Sequence, residues 1–269
     1  MQTEYIIKAI DAALAAGKEI LEVYYDPNSD FQVERKADQS PLTLADRRAH
    51  DTIMNYLRDT DYPVLSEEGR HLPYEERSRW DTLWIVDPLD GTKEFIKRNG
   101  EFTVNIALVE RKIPVFGVIY VPVTKTLYWG EPIAGAYKME GVALRDGRSL
   151  EEMKAAALRL PCAQTNESFV MVASRSHLSA ETADYVEQKR KMYPHVELVS
   201  VGSSIKICKV SEGVADEYPR FAPTMEWDTA AGHAIAKAAG AEIYQVGKEE
   251  PLVYNKLDLL NPWFIVKRD

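Results

Sequence analysis

Apolar residues recur at three- to four-residue steps between Glu4 and Tyr25, at Ile6, Ile10, Leu14 and Leu21, which predicts an amphipathic helix. "DPNSDF" ends it. A second helical stripe, Ile53, Tyr56 and Leu57, follows Pro41 and Thr43, and Thr43 with Asp46 three residues on is an N-cap signature. The period then changes. "YPVLSEEGR" reads as a short strand, and "LWIVDPLDGTKEF" opens with a strand buried on both faces, Leu83 to Val86, that stops at Asp87. "EFTVNIALVE", "IPVFGVIYVP", "KTLYWG" and "GAYKMEGVAL" continue as an antiparallel meander with a hairpin around Pro122 to Lys125. The tract "RDGRSLEEMKAAALRLPCAQTNES" is polar and patternless as a sheet. Beyond it strands and helices alternate: "FVMVAS", a helix from Ala180 to Tyr193, "VELVSVG", a helix from Ile205 to Glu212, and an alanine-rich helix from Asp228 closed by Gly240. The expected division is an N-terminal α+β half, 1–145, and a C-terminal α/β half, 146–269.

Acids gather where the apolar runs end. Glu67 and Glu68 follow one strand, Asp87 and Asp90 another, and Asp228 opens a helix directly after Trp227. Pro88 and Gly91 rule out a helix as the reason for the three-residue spacing of Asp87 and Asp90. An Asp-Gly after a strand is ordinarily a turn, and Asp46 is ordinarily a cap that complements the helix dipole. Two crowded carboxylates, however, repel unless a cation separates them. Five acids with no histidine or cysteine interleaved suit a hard cation such as magnesium better than zinc. The turn at Gly91 and Thr92, opening "TKEFIK", offers free amides for an anion. Acids for metal beside amides for phosphate suggest metal-assisted phosphoryl transfer to water.

The remaining composition narrows the partners. A net charge of −9 argues against a nucleic acid polymer and leaves small phosphorylated molecules, provided local cations override the global field. The N-terminal segment reads as neither a signal peptide nor a membrane span, so no integral membrane contact is expected. Cys162 and Cys208 lie far apart in no metal-ligand spacing, which makes a reducing cytoplasm the default, with loose attachment to the inner membrane face left open. A monomer and a homodimer are equally compatible with the sequence. No Gly-x-x-x-x-Gly-Lys-Ser/Thr loop is present.

In "SEEG" (66–69), "WIVDPLDGTKEF" (84–95) and "EWDTAAGHAIAKAAG" (226–240) the chain resembles the inositol monophosphatase superfamily of magnesium-dependent phosphatases. Within it, "KADQSPLTLAD" (36–46), "VASRSH" (172–177) and "VGSSIKICKVSEGVADEYPRF" (201–221) look like the CysQ-type 3′(2′),5′-bisphosphate nucleotidases, which remove the 3′-phosphate from 3′-phosphoadenosine 5′-phosphate formed in sulfate assimilation and sulfotransfer. The resemblance implies an α/β fold of alternating α-β-α-β-α layers with the active site between the halves. It implies two or three magnesium ions: Glu67, Asp87 and the Leu89 carbonyl hold one, and Asp87 bridges to a second completed by Asp90 and Asp228. Glu68 would back a further, weaker metal or the ligands themselves, and Thr92, oriented by Asp46, would position and deprotonate the attacking water. The Gly91 and Thr92 amides would receive the phosphate. Ser174, Arg175, His177, Gly202, Ser203, Ser204 and Lys206, with Asp228, would contact substrate from strand-end loops.

One departure bears on the substrate. Inositol monophosphatases carry an acid about seven residues before the last metal aspartate, whereas Arg220 and Phe221 stand there in this chain. A cation favours a substrate with an extra phosphate. The competing expectations are an inositol phosphate or sugar bisphosphate phosphatase of the same superfamily and, more distantly, a non-catalytic phosphate- or nucleotide-binding protein.

Overall fold

A computed structural model describes residues 2–29, 31–35, 41–70, 72–163, 168–174 and 179–268. Helix α1 (Thr3–Tyr25) leads through the two-residue strands β1 (Glu34–Arg35) and β2 (Pro41–Leu42) into α2 (Leu44–Leu57). Then come β3 (Val64–Ser66), α3 (Tyr74–Arg77), β4 (Thr82–Asp90), α4 (Thr92–Ile96), β5 (Thr103–Glu110), β6 (Ile113–Val121), β7 (Thr126–Glu131) and β8 (Gly135–Met139). Helix α5 (Leu150–Ala156) and β9 (Leu158–Leu160) follow, and β3 to β9 form one seven-stranded sheet in sequence order, antiparallel except for β3 against β4. The chain then forms β10 (Phe169–Ser174), α6 (Ala180–Met192), β11 (Val196–Val201), α7 (Ile205–Glu212), β12 (Glu217–Arg220), α8 (Glu226–Ala238), β13 (Ala241–Gln245) and β14 (Phe264–Arg268). Their five-stranded sheet runs β11-β10-β12-β14-β13 and mixes parallel with antiparallel pairs.

The layers follow from which face each strand buries. Trp84 and Val86 of β4 pack with α1 and α2, through Ile10, Leu14 and Ile53. Leu83 and Ile85, one residue out of step, pack on the other side with Ile207, Ala231 and Ile235 of α7 and α8 and with Val172 and Val266 of the second sheet. The run Leu83–Val86 of β4 is therefore apolar without alternation because both faces are covered. Helix α6 closes the far side against β11 and β12. The order is helix, sheet, helix, sheet, helix, as the resemblance implied. Gly117 of β6 allows the close approach at the centre, since a Cβ there would lie 2.1 Å from the Ala231 carbonyl oxygen of α8.

Two sequence expectations move. The buried strand does not stop at Asp87 but pairs with β5 as far as Asp90. The first sheet also takes its last strand from Leu158–Leu160, which hydrogen-bonds to β8. The first sheet thus takes a strand from the tract that looked patternless; the division into units 1–145 and 146–269 remains our proposal. No helix among the described residues is long and apolar enough to cross a membrane.

Candidate active site

Side chains three apart on a regular strand face opposite sides of the sheet. Asp87 pairs with Asn105 and Asp90 with Thr103, so three steps along β4 match two along β5. The extra residue is a bulge, and it returns Asp90 to the face that carries Asp87. Beside them, just past the end of the parallel strand β3, the Glu67 amide donates to the Val86 carbonyl at 3.1 Å. The Leu89 amide donates to Asp87 Oδ1 at 3.0 Å.

The third carboxylate comes from the other half. Asp228 lies in the first turn of α8 and caps it, with Oδ2 accepting the Met225 amide at 2.7 Å. One oxygen each of Asp87, Asp90 and Asp228 lie within 4.8 Å of one another, the one such cluster of acidic, histidine or cysteine ligands among the described residues. Ser204 joins the halves. Its amide and hydroxyl both donate to Asp90 Oδ2 at 2.6 Å, and its Oγ lies 2.8 Å from the Asp228 carbonyl. Burial first, then the charges of Asp90 and Glu67, hold the Asp228 carboxyl well above the usual carboxylate range. An all-oxygen donor set under mutual repulsion fits a hard divalent cation.

That repulsion has a measurable sign. A carboxyl raised by folding stabilises the protein fully below its unfolded pKa, and the contribution is lost as pH rises through the raised value. A cation bound among the acids reverses the loss. The gap in melting temperature between cation-loaded and EDTA-treated protein is therefore expected to widen from about pH 5 to pH 8. A gap that is absent or constant would contradict the convergence of these charges.

Asp46 serves two elements at once. Its Oδ2 accepts the Thr43 amide at 2.7 Å and completes a capping box on α2. Its Oδ1 accepts the Thr92 hydroxyl at 3.2 Å, and that hydroxyl also lies 3.3 Å from the Leu89 carbonyl. The cap and the catalytic reading of Asp46 are compatible, because each uses a different oxygen. Gly91 precedes Thr92 at φ +95°, with a Cβ position 3.1 Å from the Glu101 carbonyl oxygen. Any side chain there would be strained and crowded.

A pocket adjoins the cluster, lined among others by Gly91, Ser203, Lys206, Tyr218, Arg220 and Thr224 as well as Asp90 and Asp228. Lys206 is buried, donates to the Ser203 carbonyl at 2.6 Å and sits 5.5 Å from the Tyr218 ring centroid. Burial lowers its pKa to about 8, against the opposing pull of Asp90. Arg220 Nη2 donates to the Pro223 carbonyl at 3.0 Å. Three buried polar atoms of this pocket, Ser203 Oγ, Arg220 Nε and Thr224 Oγ1, have no hydrogen-bond partner among the described residues. Orphaned groups of this kind are costly unless a ligand meets them.

A sequence model of the Inositol monophosphatase family matches residues 1–266. The chain belongs to that family. The 3′(2′),5′-bisphosphate nucleotidase CysQ of Escherichia coli (strain K12) is 44% identical over 254 residues, 93% of this chain and 94% of that protein. The protein of the same name from Haemophilus influenzae (strain ATCC 51907 / DSM 11121 / KW20 / Rd) is 34% identical, covering 96% of this chain and 90% of its own. Among solved structures, CysQ from Bacteroides thetaiotaomicron, a bacterial member of the inositol monophosphatase family, superposes with a TM-score of 0.92 at 61% identity, over 98% of this chain and 97% of that one. SuhB from Bartonella henselae, at 23% identity and a TM-score of 0.70 over 98% of this chain and 93% of that one, shares the fold.

With the family in place, the residues expected from the sequence can be located. Asp87, Asp90 and Asp228 converge, and Glu67 is near enough for its charge to raise Asp228. Glu68 is half-buried next to it in the chain. Asp46, Leu89, Gly91 and Thr92 meet at the start of α4. Gly202, Ser203, Ser204, Lys206, Arg220 and Asp228 all line the pocket. Gly202 is held by its amide, which donates to Glu101 Oε2 at 2.9 Å. The Ser204 hydroxyl is engaged with Asp90. Arg175, His177 and the Ser174 side chain lie outside the described residues. Sequence reasoning missed Asn105, Tyr218 and Thr224. A lone asparagine inside the apolar run "TVNIALV" was the one available signal, since a buried amide needs partners.

Proposed function

We propose that this chain is a magnesium-dependent phosphomonoesterase that removes the 3′-phosphate of 3′-phosphoadenosine 5′-phosphate, giving adenosine 5′-monophosphate and phosphate. The observation that carries the reading is the pocket beside the acid cluster, where Arg220 and Lys206 stand with three polar atoms that find no partner among the described residues. A metal-bound phosphate accounts for the acids alone; a second anionic group on the same substrate accounts for the cations and the orphaned donors. The bisphosphate nucleotidase names of the relatives from Escherichia coli and Haemophilus influenzae agree with it.

In this reading Glu67, Asp87, Asp90, Asp228 and the Leu89 carbonyl hold magnesium, two or three ions per site, with Glu68 behind them. The ions would supply Lewis-acid charge at the phosphoryl oxygens and lower the pKa of bound water. The protein's own part is placement. The Thr92 hydroxyl gives its proton to Asp46 in a hydrogen bond, which turns an oxygen lone pair toward the water that attacks phosphorus. The Gly91 and Thr92 amides steady the phosphoryl oxygens, and the 5′-phosphate lies against Arg220, Lys206, Ser203 and Thr224.

Turnover of 3′-phosphoadenosine 5′-phosphate and inositol 1-phosphate, compared at matched magnesium, tests the reading. A charged hydrogen bond is worth about 1.5–3 kcal/mol, so losing the second phosphate is expected to lower kcat/KM by about 10²-fold or more. Equal or faster hydrolysis of inositol 1-phosphate would contradict it.

A further inference from the structure

Asp90 presents its two carboxylate oxygens to different surroundings. Oδ2 accepts the Ser204 amide and the Ser204 hydroxyl at 2.6 Å each, the Asn105 side-chain amide at 3.4 Å and the Thr103 hydroxyl at 3.5 Å. That oxygen is saturated by the protein. Oδ1 accepts no hydrogen bond found among the described residues, which leaves it available to an ion. Asp228 has the same division, with Oδ2 turned to the Met225 amide of its own helix. Ser204 and Asn105 are themselves buried, at 3% and 1% exposure, and Ser204 also lines the pocket.

Ser204 is where this arrangement crosses between the halves. Asn105 Nδ2, from β5 of the first sheet, donates to Ser204 Oγ at 2.9 Å. Ser204 precedes α7, and its Oγ reaches both Asp90 and the Asp228 carbonyl on α8. A hydroxyl has one proton to give, and the ionised carboxylate is the stronger acceptor. We infer that Ser204, fixed by Asn105, is a positioning residue for the metal site: it holds the Asp90 carboxylate in orientation and sets its spacing from Asp228. The inference rests on the reading of the acids as metal ligands and deepens it, since the Ser204 hydroxyl is engaged with Asp90 and the Asp228 carbonyl and would act on the ion through them.

The role differs from plain support of the fold in what its loss should do. Ser204→Ala removes the hydroxyl that orients Asp90 and leaves Asn105 short of an acceptor, while the three acids stay. Manganese binding to substrate-free protein, followed by calorimetry, is expected to weaken about tenfold in Ser204→Ala. Ser204→Thr, which keeps the hydroxyl, is expected to bind within about threefold of the unaltered protein. Melting in EDTA separates this from a folding defect. Ser204→Ala should lose metal affinity without a matching fall in its metal-free melting temperature, and saturating manganese should restore most of kcat. Unchanged manganese affinity in Ser204→Ala would overturn the inference, as would a loss of affinity shared equally by Ser204→Thr. If the unaltered protein takes up no manganese, the metal reading beneath it falls first.

Discussion

Asp90→Asn is expected to melt at a higher temperature than the unaltered protein in EDTA and yet to hydrolyse its substrate at least about 10³-fold more slowly. The two effects share one cause. Asp90 is the largest charged contributor to the raised pKa of Asp228, and replacing it by a neutral amide of the same shape relieves that repulsion when no cation is present. The Ser204 amide and hydroxyl can still donate to the side-chain oxygen, so the local fold has little reason to change. What goes is one charge of the cluster formed with Asp87 and Asp228. In the proposed function several kcal/mol of transition-state charge stabilisation would depend on ions held there, and about 4 kcal/mol corresponds to a factor of about 10³. Thermal melting in EDTA and phosphate release at saturating magnesium check the two halves separately. A destabilised variant with near-normal turnover would mean that the three acids support the fold and not the chemistry.

Thr92→Val should behave differently. The change removes one hydroxyl and keeps the shape, at a residue whose Oγ1 lies between Asp46 Oδ1 and the Leu89 carbonyl. Asp46 would still cap α2 through its other oxygen, so stability is expected to hold. Water positioning would be lost. Groups that handle the proton of an attacking nucleophile are worth about 10²–10⁴-fold, and the loss should fall on kcat with KM nearly unchanged. Steady-state kinetics together with manganese affinity distinguish the outcomes: a rise in KM or a fall in metal affinity as large as the fall in kcat would show that Thr92 binds and does not position water.

Much of this site was legible in the sequence because its acids stand at the ends of apolar runs. Helix α7 lies at Ile205–Glu212 as its periodicity predicted, and the Thr43–Asp46 cap was visible in four residues. The second task of Asp46 was not visible from spacing, since Thr92 reaches it across 46 positions of chain. The bulge that turns Asp87 and Asp90 to one face was equally hidden. It depends on the register with β5, and a strand read alone places the two residues on opposite sides. Ser204 was expected among substrate contacts because it follows a strand in a loop; only its burial against Asp90 gives it another role. Tyr218 and Thr224 carry no local signal at all, since their place in the pocket follows from how β12 and α8 are brought beside α4.

The most direct measurement is a crystal soaked in manganese, with the metal located by its anomalous scattering. The account predicts an anomalous peak within bonding distance of Asp87, Asp90 and Asp228. Peaks only elsewhere, or an acid cluster that stays without metal while phosphate release proceeds in full, would contradict it.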